Sequence, residues 1–289
     1  TSSIFKRLLI NFFVLYILIN SVEDLEFLNK ELIQKPYLGV DTEFRRTTKD
    51  NMRLALLQVN DGDEIYLVDT ISINNPGEYA SFLYENSVIK ILHSCKEDLE
   101  AIYSWTNKEM LNVFDTQIAN SLLRDDYSIS YQGLVERELG ILLEKKETRS
   151  NWLRRPLSDE QLKYAALDVE YLIPLFLEQK KDLIKSCKLE WLYQDIERIK
   201  SSVFERKKES RDLKRIISKK EELDLLIKFN NLVDGIAKEN NINSTFFFSK
   251  KSQKEFLRLI FFEGIEQACE EITDWRECLI RNEISALLK

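Results

Sequence analysis

The fold is decided by the octapeptide Tyr37-Leu38-Gly39-Val40-Asp41-Thr42-Glu43-Phe44, in which an apolar run ends in two carboxylates. Residues i and i+2 of a strand point to the same face, so Asp41 and Glu43 are predicted to project together. Two like charges side by side are unfavourable unless a cation or a proton neutralises them. Taken alone, the pair is a weak signal and is more typical of a solvated strand edge than of a functional site.

Further extended segments surround this stretch. Leu54–Asn60 and Glu64–Asp69 are short apolar runs separated by Asp61-Gly62, a hairpin signal. The three segments therefore predict an antiparallel meander, and the helix and strand signals that follow from residue 77 extend it with βα units. The sequence predicts an α/β fold, a mixed sheet flanked by helices, followed by a region of helical periodicity alone.

The N-terminal residues are strongly apolar. Leu8 to Ile19 reads LLINFFVLYILI, 12 residues after Lys6-Arg7. A bilayer span needs about 20 residues, and no small-residue cleavage site follows as a signal peptide would require. We predict a buried strand at Val14–Ile19 preceded by an extension at residues 1–13, with a targeting segment as the alternative and no membrane partner.

Composition excludes several classes of site. The chain has 289 residues and one histidine, His93, so neither an HExxH site nor a His-rich zinc centre can be built. Its four cysteines include no CxxC pair, which favours a reducing, cytoplasmic setting without disulfides. The net charge of −7 gives no overall signal for nucleic acid.

Two further acidic elements carry candidate chemistry. Tyr164 and Asp168 lie four residues apart in a strongly helical stretch capped by Ser158, so the phenol and the carboxylate share a face. Asp98 lies in the first turn of a helix that follows a strand, where the helix dipole favours an anion. Each has a purely structural alternative: a tyrosine hydrogen-bonded to an aspartate, and a dipole-stabilised carboxylate.

Together the acidic residues suggest a metal site. Asp41, Glu43, Asp98 and Asp168 would supply the oxygen ligands that hard divalent cations prefer. Two such cations can activate a water and stabilise a leaving oxygen in phosphodiester cleavage, and this chemistry needs no histidine.

Four motifs in order carry a resemblance. They are Val-Asp-Thr-Glu-Phe at 40–44, His-x4-Asp-Leu-Glu at 93–100, Phe-Asp-Thr-Gln at 114–117, and Asn-Trp-Leu-x-Arg-Pro-Leu-Ser-x-x-Gln-x-x-Tyr-Ala-Ala-x-Asp-Val-x-Tyr-Leu at 151–172. Over about 150 residues the chain resembles ribonuclease D of the DEDD 3′–5′ exonucleases, which implies an RNase H-like fold.

The resemblance implies roles for individual residues. Asp41, Glu43, Asp98 and Asp168 become the ligands of two Mg2+ or Mn2+ ions, and Tyr164 becomes the catalytic phenol that orients the attacking water. The histidine subtype would place its base at position 163, where this chain has lysine. Asp115 also matches a recurrent family residue, but we expect it to cap the helix that begins near Thr116.

The predicted domains are an extension at 1–13, an exonuclease domain at 14–197, a basic helical linker at 198–220 and a small all-α HRDC-like domain at 221–289. The linker holds ten Lys/Arg against three Asp/Glu, so it is either a solvated face or a guide for RNA. The HRDC resemblance is the weaker one; it rests on the apolar runs at 225–233 and 256–260 and on Trp275 to Leu279.

Substrate contacts are expected beside the carboxylates. The basic loop Lys145–Arg155 precedes the Tyr164 helix, and its cations would reach phosphates unless they are merely solvated. Phe44 would stack on the terminal base unless it belongs to the core, and His93 would contact substrate or satisfy a strand-end hydrogen bond. The predicted substrate-binding residues are Thr42, Phe44, His93 and Arg149.

The sequence thus predicts a monomeric, cytoplasmic 3′–5′ exoribonuclease that trims single-stranded RNA 3′ ends, tRNA precursors above all, and releases nucleoside 5′-monophosphates. A DNA exonuclease with the same ligands and a non-catalytic RNA-binding module on the same fold are the alternatives.

Overall fold

The computed structural model describes residues 15–48, 51–73, 75–143, 150–204 and 217–288. The backbone forms two compact units. One comprises the described residues of Thr1–Val113 and Ser130–Phe176, and the other those of Phe114–Ile129 and Leu177–Lys289. Neither unit is continuous along the chain.

The first unit is built on a mixed sheet. Its strands are β1 (Ile17–Ile19), β2 (Tyr37–Thr48), β3 (Asn51–Asn60), β4 (Ile65–Val68), β5 (Ile89–Leu92) and β6 (Val113–Asp115). They lie in the order β1-β4-β3-β2-β5-β6. β2, β3 and β4 pair antiparallel, whereas β1 pairs with β4 and β5 pairs with β2 in parallel. The predicted meander and mixed sheet are confirmed.

The hairpin turn between β3 and β4 forms at the predicted dipeptide. Gly62 has φ +97°, a conformation that glycine adopts without strain. The side chain of Asp61 accepts hydrogen bonds from the N–H groups of Asp63 and Glu64, at 2.9 and 2.8 Å. The turn is therefore stabilised by its own residues.

The N-terminal strand is shorter and more exposed than predicted. β1 begins at Ile17, and of its three residues only Ile19 is buried; Ile17 and Leu18 are each 43% exposed. β1 is exposed because it lies at the edge of the described sheet, where its strand neighbour is β4. Val14 and the predicted extension at residues 1–13 lie outside the described residues.

Helices follow the strands of this unit: α1 (Val22–Leu32), α2 (Lys96–Thr106), α4 (Tyr131–Leu139) and α5 (Asp159–Glu170), with a 3₁₀ helix at Gly77–Leu83, while α3 (Thr116–Leu123) belongs to the second unit. Serine caps both α1 and α5, and the cap at Ser158 is the predicted one. Ser21 accepts from the Asp24 N–H, and Ser158 forms a capping box with Gln161. These local hydrogen bonds fix where α1 and α5 begin.

α5 lies against β2, β3 and β4. The Asn60 amide donates to the carbonyls of Val169 and Glu170, at 3.0 and 3.2 Å, and so holds the last turn of α5 on β3. Gly39 lets the helix approach closely, since a Cβ there would lie 3.2 Å from the Val169 carbonyl oxygen and 3.2 Å from the Leu172 Cβ. The helix that carries Tyr164 and Asp168 is thus fixed on the strand that carries Asp41.

The second unit is helical. Besides α3 it contains α7 (Leu189–Phe204), α8 (Lys219–Glu239), α9 (Ser244–Phe247), α10 (Lys250–Glu263), α11 (Ile265–Glu270) and α12 (Asp274–Leu287), and α6 (Leu172–Lys185) runs from the first unit into it. Asp115 accepts from the N–H groups of Gln117 and Ile118, so the predicted cap of α3 is confirmed.

Aromatic rings and a buried ion pair join α7 to α12. The indoles of Trp191 and Trp275 stack with centroids 4.7 Å apart, and the Asp195 carboxylate is paired with the Arg276 guanidinium. The predicted linker begins at Arg198, inside α7, and its residues 205–216 lie outside the described part of the chain. The predicted domain boundaries therefore stay a prediction.

The four cysteines are all free, as predicted. Within the described ranges, no helix combines the length and apolar character needed to cross a membrane.

The close approach at Gly39 gives a test of this packing. Gly39→Ala should destabilise the protein by about 1–3 kcal/mol, because the new methyl group forces α5 away from β2. Urea unfolding measures the loss. Gly235→Ala, in α8 where nothing lies within 4 Å of the added Cβ, is the control and should stabilise by about 0.5–1 kcal/mol. Equal effects of the two changes would contradict the packing described.

Candidate active site

Strand β2 presents two acidic side chains on one face. In the ladder with β3, Asp41 is paired with Gln58 and Glu43 with Leu56, and the register shifts directly after Glu43. A bulge of this kind bends the strand and redirects the side chains that follow it. Asp41 and Glu43 are therefore held together on the side of the sheet that α5 covers.

Thr42 lies between them and points to the alternate face. Its side chain is buried, and its hydroxyl donates a 2.5 Å hydrogen bond to Asp98 Oδ1. In this structure the hydroxyl orients a neighbouring carboxylate, and the predicted substrate role of Thr42 stays a prediction.

Asp98 lies in the first turn of α2, immediately after β5, and is only 6% exposed. The chain turns sharply between strand and helix at Ser94, where φ is +66°. Arg46 of β2 donates to Glu100 at 2.5 Å, which fastens the helix to the strand that carries Asp41. The N-terminal turn of α2 and the Thr42 hydroxyl together fix where this carboxylate lies.

Tyr164 and Asp168 lie one turn apart on α5, as predicted. The Tyr131 hydroxyl accepts from the Tyr171 N–H at 2.9 Å and donates to the Leu167 carbonyl at 3.2 Å, so it holds the backbone on both sides of Asp168. Sequence reasoning missed Tyr131, because nothing local links it to a helix about forty residues further along the chain.

The charges of the four carboxylates affect one another's pKa values, and we call these four residues the carboxylate cluster. Burial raises the pKa of Asp41 well above its ordinary value, and the charges of Asp98, Asp168 and Glu43 raise it further. Burial, followed by the charges of Asp168 and Asp98, raises the pKa of Glu43 to about 9. The four residues, predicted from distant parts of the chain, thus lie within electrostatic range of one another.

Asp168 and Tyr164 interact electrostatically with the same carboxylates. Burial raises the pKa of Asp168 to about 7, while hydrogen bonding with Tyr164 acts in the opposite direction. Burial and the neighbouring charges of Asp168 and Glu43 raise the pKa of the Tyr164 phenol well above its ordinary value. At neutral pH the phenol is therefore a neutral hydrogen-bond donor.

The donor set matches a hard divalent cation in its chemistry. All four groups offer carboxylate oxygens, and their mutual repulsion is what a bound cation would relieve. Within the residues described, no three histidine, cysteine, aspartate or glutamate side chains already form a group that could hold a metal ion. The carboxylates lie within electrostatic range of one another without forming a closed coordination shell, and their assignment as ligands stays a prediction.

Of the remaining predicted substrate-binding residues, the structure describes Phe44 and His93. Phe44 is half-buried on β2 directly after Glu43, and the His93 ring lies edge-on to Tyr131 with centroids 5.9 Å apart. Arg149 lies outside the described residues. Their roles toward substrate stay predictions.

One cation of the predicted basic loop has an internal role instead. Arg155 donates to both oxygens of Asp69, at 2.8 and 2.5 Å, and to the carbonyls of Ala55 and Trp152, at 2.7 Å each. With these contacts it anchors the loop on β3 and β4 before α5 begins. The expectation that the cations of this loop reach phosphates is therefore wrong for Arg155.

Comparison with known proteins decides the family. A family model described as 3′-5′ exonuclease matches residues 16–184, more than half of the chain. The chain belongs to this family. Among curated 3′–5′ exonucleases, it is 39% identical to ribonuclease D of Shewanella sp. (strain ANA-3) over 166 residues, which are 57% of this chain and 43% of that protein.

Comparison with two further proteins gives the same result. Ribonuclease D of Pseudomonas paraeruginosa is 39% identical over 166 residues, 57% of this chain and 44% of that protein. The resemblance to ribonuclease D is confirmed, and the chain spans less than half the length of these relatives. Escherichia coli RNase D has the same fold, with a TM-score of 0.65 and 24% identity over 95% of this chain and 73% of that one.

A smaller protein of the same fold has been solved with metal. Brucella melitensis NrnC with bound Mg2+ superposes with a TM-score of 0.55 and 21% identity, over 63% of this chain and 94% of that one.

The raised pKa values predict how stability varies with pH in a chelator. A group whose folded-state pKa exceeds its unfolded value contributes stability below the unfolded pKa and loses that contribution as the pH rises through the folded one. For Glu43 this window runs from 4.5 to about 9. Glu43→Gln should therefore lose less stability than wild type between pH 5 and pH 9 and should have the higher Tm at the alkaline end.

Thermal unfolding in EDTA across this range measures the effect. Glu160→Gln is the matched control, because hydrogen bonds with its own N–H and with Ser158 lower the pKa of Glu160. The control should retain the wild-type decline. A Glu43→Gln profile parallel to wild type would show that Glu43 is not in a repulsive cluster.

Proposed function

We propose that this protein is a metal-dependent 3′–5′ exoribonuclease that removes nucleotides one at a time from RNA 3′ ends. The observation that carries the proposal is the single electrostatic cluster formed by Asp41, Glu43, Asp98 and Asp168, with Tyr164 one helical turn before the last of them. Membership of the 3′–5′ exonuclease family supports it.

The four carboxylates would hold the metal. Two divalent cations bound there would activate a water and stabilise the leaving oxygen of the scissile phosphodiester. Asp41 and Glu43 present their oxygens from a rigid strand, and Asp98 is oriented by the Thr42 hydroxyl. Because these groups repel one another, they are arranged in advance for a cationic ligand.

Tyr164 would act as a donor rather than as a base. Its raised pKa keeps the phenol protonated at neutral pH, so it can hold a water in line for attack but cannot take the proton as phenolate. The position at which the histidine subtype would carry its base, 163, is a lysine in this chain. The phenol is thus the positioning group that the helix supplies.

Single-stranded RNA is the proposed substrate, tRNA precursors included, and nucleoside 5′-monophosphates are the proposed products. Curated relatives bear the name ribonuclease D, and one solved neighbour of the same fold, NrnC, is described as bound to pGG. We further propose a cytoplasmic monomer, Phe44 and His93 as substrate contacts, and HRDC-like use of the C-terminal helices.

Two other functions use the same fold. A DNA exonuclease would need the same carboxylates, and digestion of matched RNA and DNA oligonucleotides distinguishes it. A non-catalytic RNA-binding module would need none of them, and it predicts that the protein is inactive in both Mg2+ and Mn2+.

Removing one carboxylate tests catalysis directly. Asp41→Asn should reduce hydrolysis of 5′-labelled single-stranded RNA by at least about 10³-fold, because metal-centred charge stabilisation is worth several kcal/mol. Its affinity for RNA should match that of wild type by fluorescence anisotropy. Product ladders that shorten from the 3′ end, and disappear with EDTA, are the expected wild-type result; wild-type inactivity in both metals would overturn the proposal.

Tyr164→Phe tests the phenol. It should lower kcat by about 10²-fold, the contribution typical of a positioned proton donor, and leave KM for RNA unchanged. Tyr127→Phe, at an exposed tyrosine of the second unit, is the control and should behave as wild type. An unchanged kcat in Tyr164→Phe would exclude the hydroxyl from the reaction.

A further inference from the structure

A buried amide beside the carboxylate cluster is unsatisfied. The side chain of Gln58 is fully buried, and among the residues that the structure describes neither Nε2 nor Oε1 has a hydrogen-bond partner. Two other buried amides are bonded at least through their N–H groups: Asn60 donates to two carbonyls of α5, and Gln179 Nε2 donates to the Thr116 carbonyl at 2.9 Å, although Gln179 Oε1 has no partner among the described residues. Burying a polar group without a partner costs free energy, so this position calls for an explanation.

The position of Gln58 in the sheet suggests why its amide is buried without a partner. Gln58 is paired with Asp41 in the antiparallel ladder, so the two side chains lie on the same face with their Cβ atoms about 5 Å apart. Two residues further along the same face of β3 comes Asn60, which holds α5. The unsatisfied amide therefore lies under α5, next to the first carboxylate of the cluster.

The chemistry of the amide suits a carboxylate that binds a cation. An amide N–H donates to an ionised carboxylate without adding charge. A lysine would also donate, but its charge would oppose a cation, and a second carboxylate would add to the repulsion already present around Asp41. Donors behind a ligating side chain fix its orientation and raise metal affinity.

We propose that Gln58 is a positioning residue for Asp41. When the cluster holds a divalent cation, the Gln58 Nε2 donates to the Asp41 carboxylate and fixes the oxygen that faces the metal. The inference rests on the proposed metal-dependent function. It assigns the amide no contact with RNA and no part in the metal-free fold.

Gln58→Met tests this, since methionine matches glutamine in length and carries no hydrogen-bonding group that the carboxylate could use. Isothermal titration with Mn2+ should show a Kd that is about 10- to 100-fold higher than in wild type. The Mg2+ concentration for half-maximal RNA hydrolysis should rise by a similar factor, while KM for RNA at saturating Mg2+ stays unchanged. In EDTA the Tm should stay equal or rise by about 2–4 °C, because an unsatisfied amide has been removed.

A matched control separates this role from a purely structural one. Gln179→Met removes a buried amide whose Nε2 donates to a carbonyl and leaves that carbonyl without its donor, so it should lower the Tm and leave Mn2+ affinity unchanged. Gln58→Leu is a second apolar variant that should reproduce the effects of Gln58→Met.

Three results would overturn the inference. The first is Mn2+ binding by Gln58→Met that equals wild type, and the second is failure of both apolar variants to fold. In either case the exonuclease proposal survives, since wild type still binds metal and cleaves RNA. The third is absence of Mn2+ binding by wild type, which would overturn the metal-dependent function as well.

Discussion

Repulsion among buried carboxylates is the constraint on which the rest of the first unit depends. Asp41, Glu43, Asp98 and Asp168 come from a strand and two helices, and the charges of Asp98 and Asp168 make Asp41 and Glu43 harder to ionise. A fold brings such groups together only if other interactions offset that cost. The framework around the cluster is therefore best understood as a set of restraints that oppose its separation.

Those restraints act on the backbone around each acidic side chain. Asn60, Tyr131 and Gly39 fix the last turn of α5, while Arg46 fixes α2 to β2. Arg155 uses one carboxylate and two carbonyls to anchor the loop that enters α5. Each of these restraints is a hydrogen bond, an ion pair or a close approach that does not use the oxygens of the four carboxylates.

The elements predicted from the sequence are those that local interactions specify. The caps at Ser158 and Asp115 and the turn at Asp61-Gly62 each involve residues within three positions, and the structure confirms all three. Tyr131 and Arg155 could not be found this way, because their partners lie tens of residues away. The predicted burial of β1 was wrong for a similar reason, since an apolar run does not reveal that its strand lies at a sheet edge.

The pairing of Asp41 with Gln58 also could not be predicted from the sequence. Alternation along β2 places Asp41 and Glu43 on one face, but the identity of the residue opposite depends on the register of β3. A glutamine in an apolar run shows no periodicity of its own. Only the ladder identifies it as a neighbour of the cluster.

The contacts of Lys188 show what the protein would lose if it were truncated after α7. Its buried ammonium donates to the carbonyls of Leu122, Asn240 and Asn241, and burial lowers its pKa to about 8. A truncation after α7 would keep the lysine and α3 but discard two of these three acceptors. The shortened chain would then carry a partly unsatisfied ammonium. The C-terminal residues therefore supply two of the three acceptors that Lys188 uses beside α3.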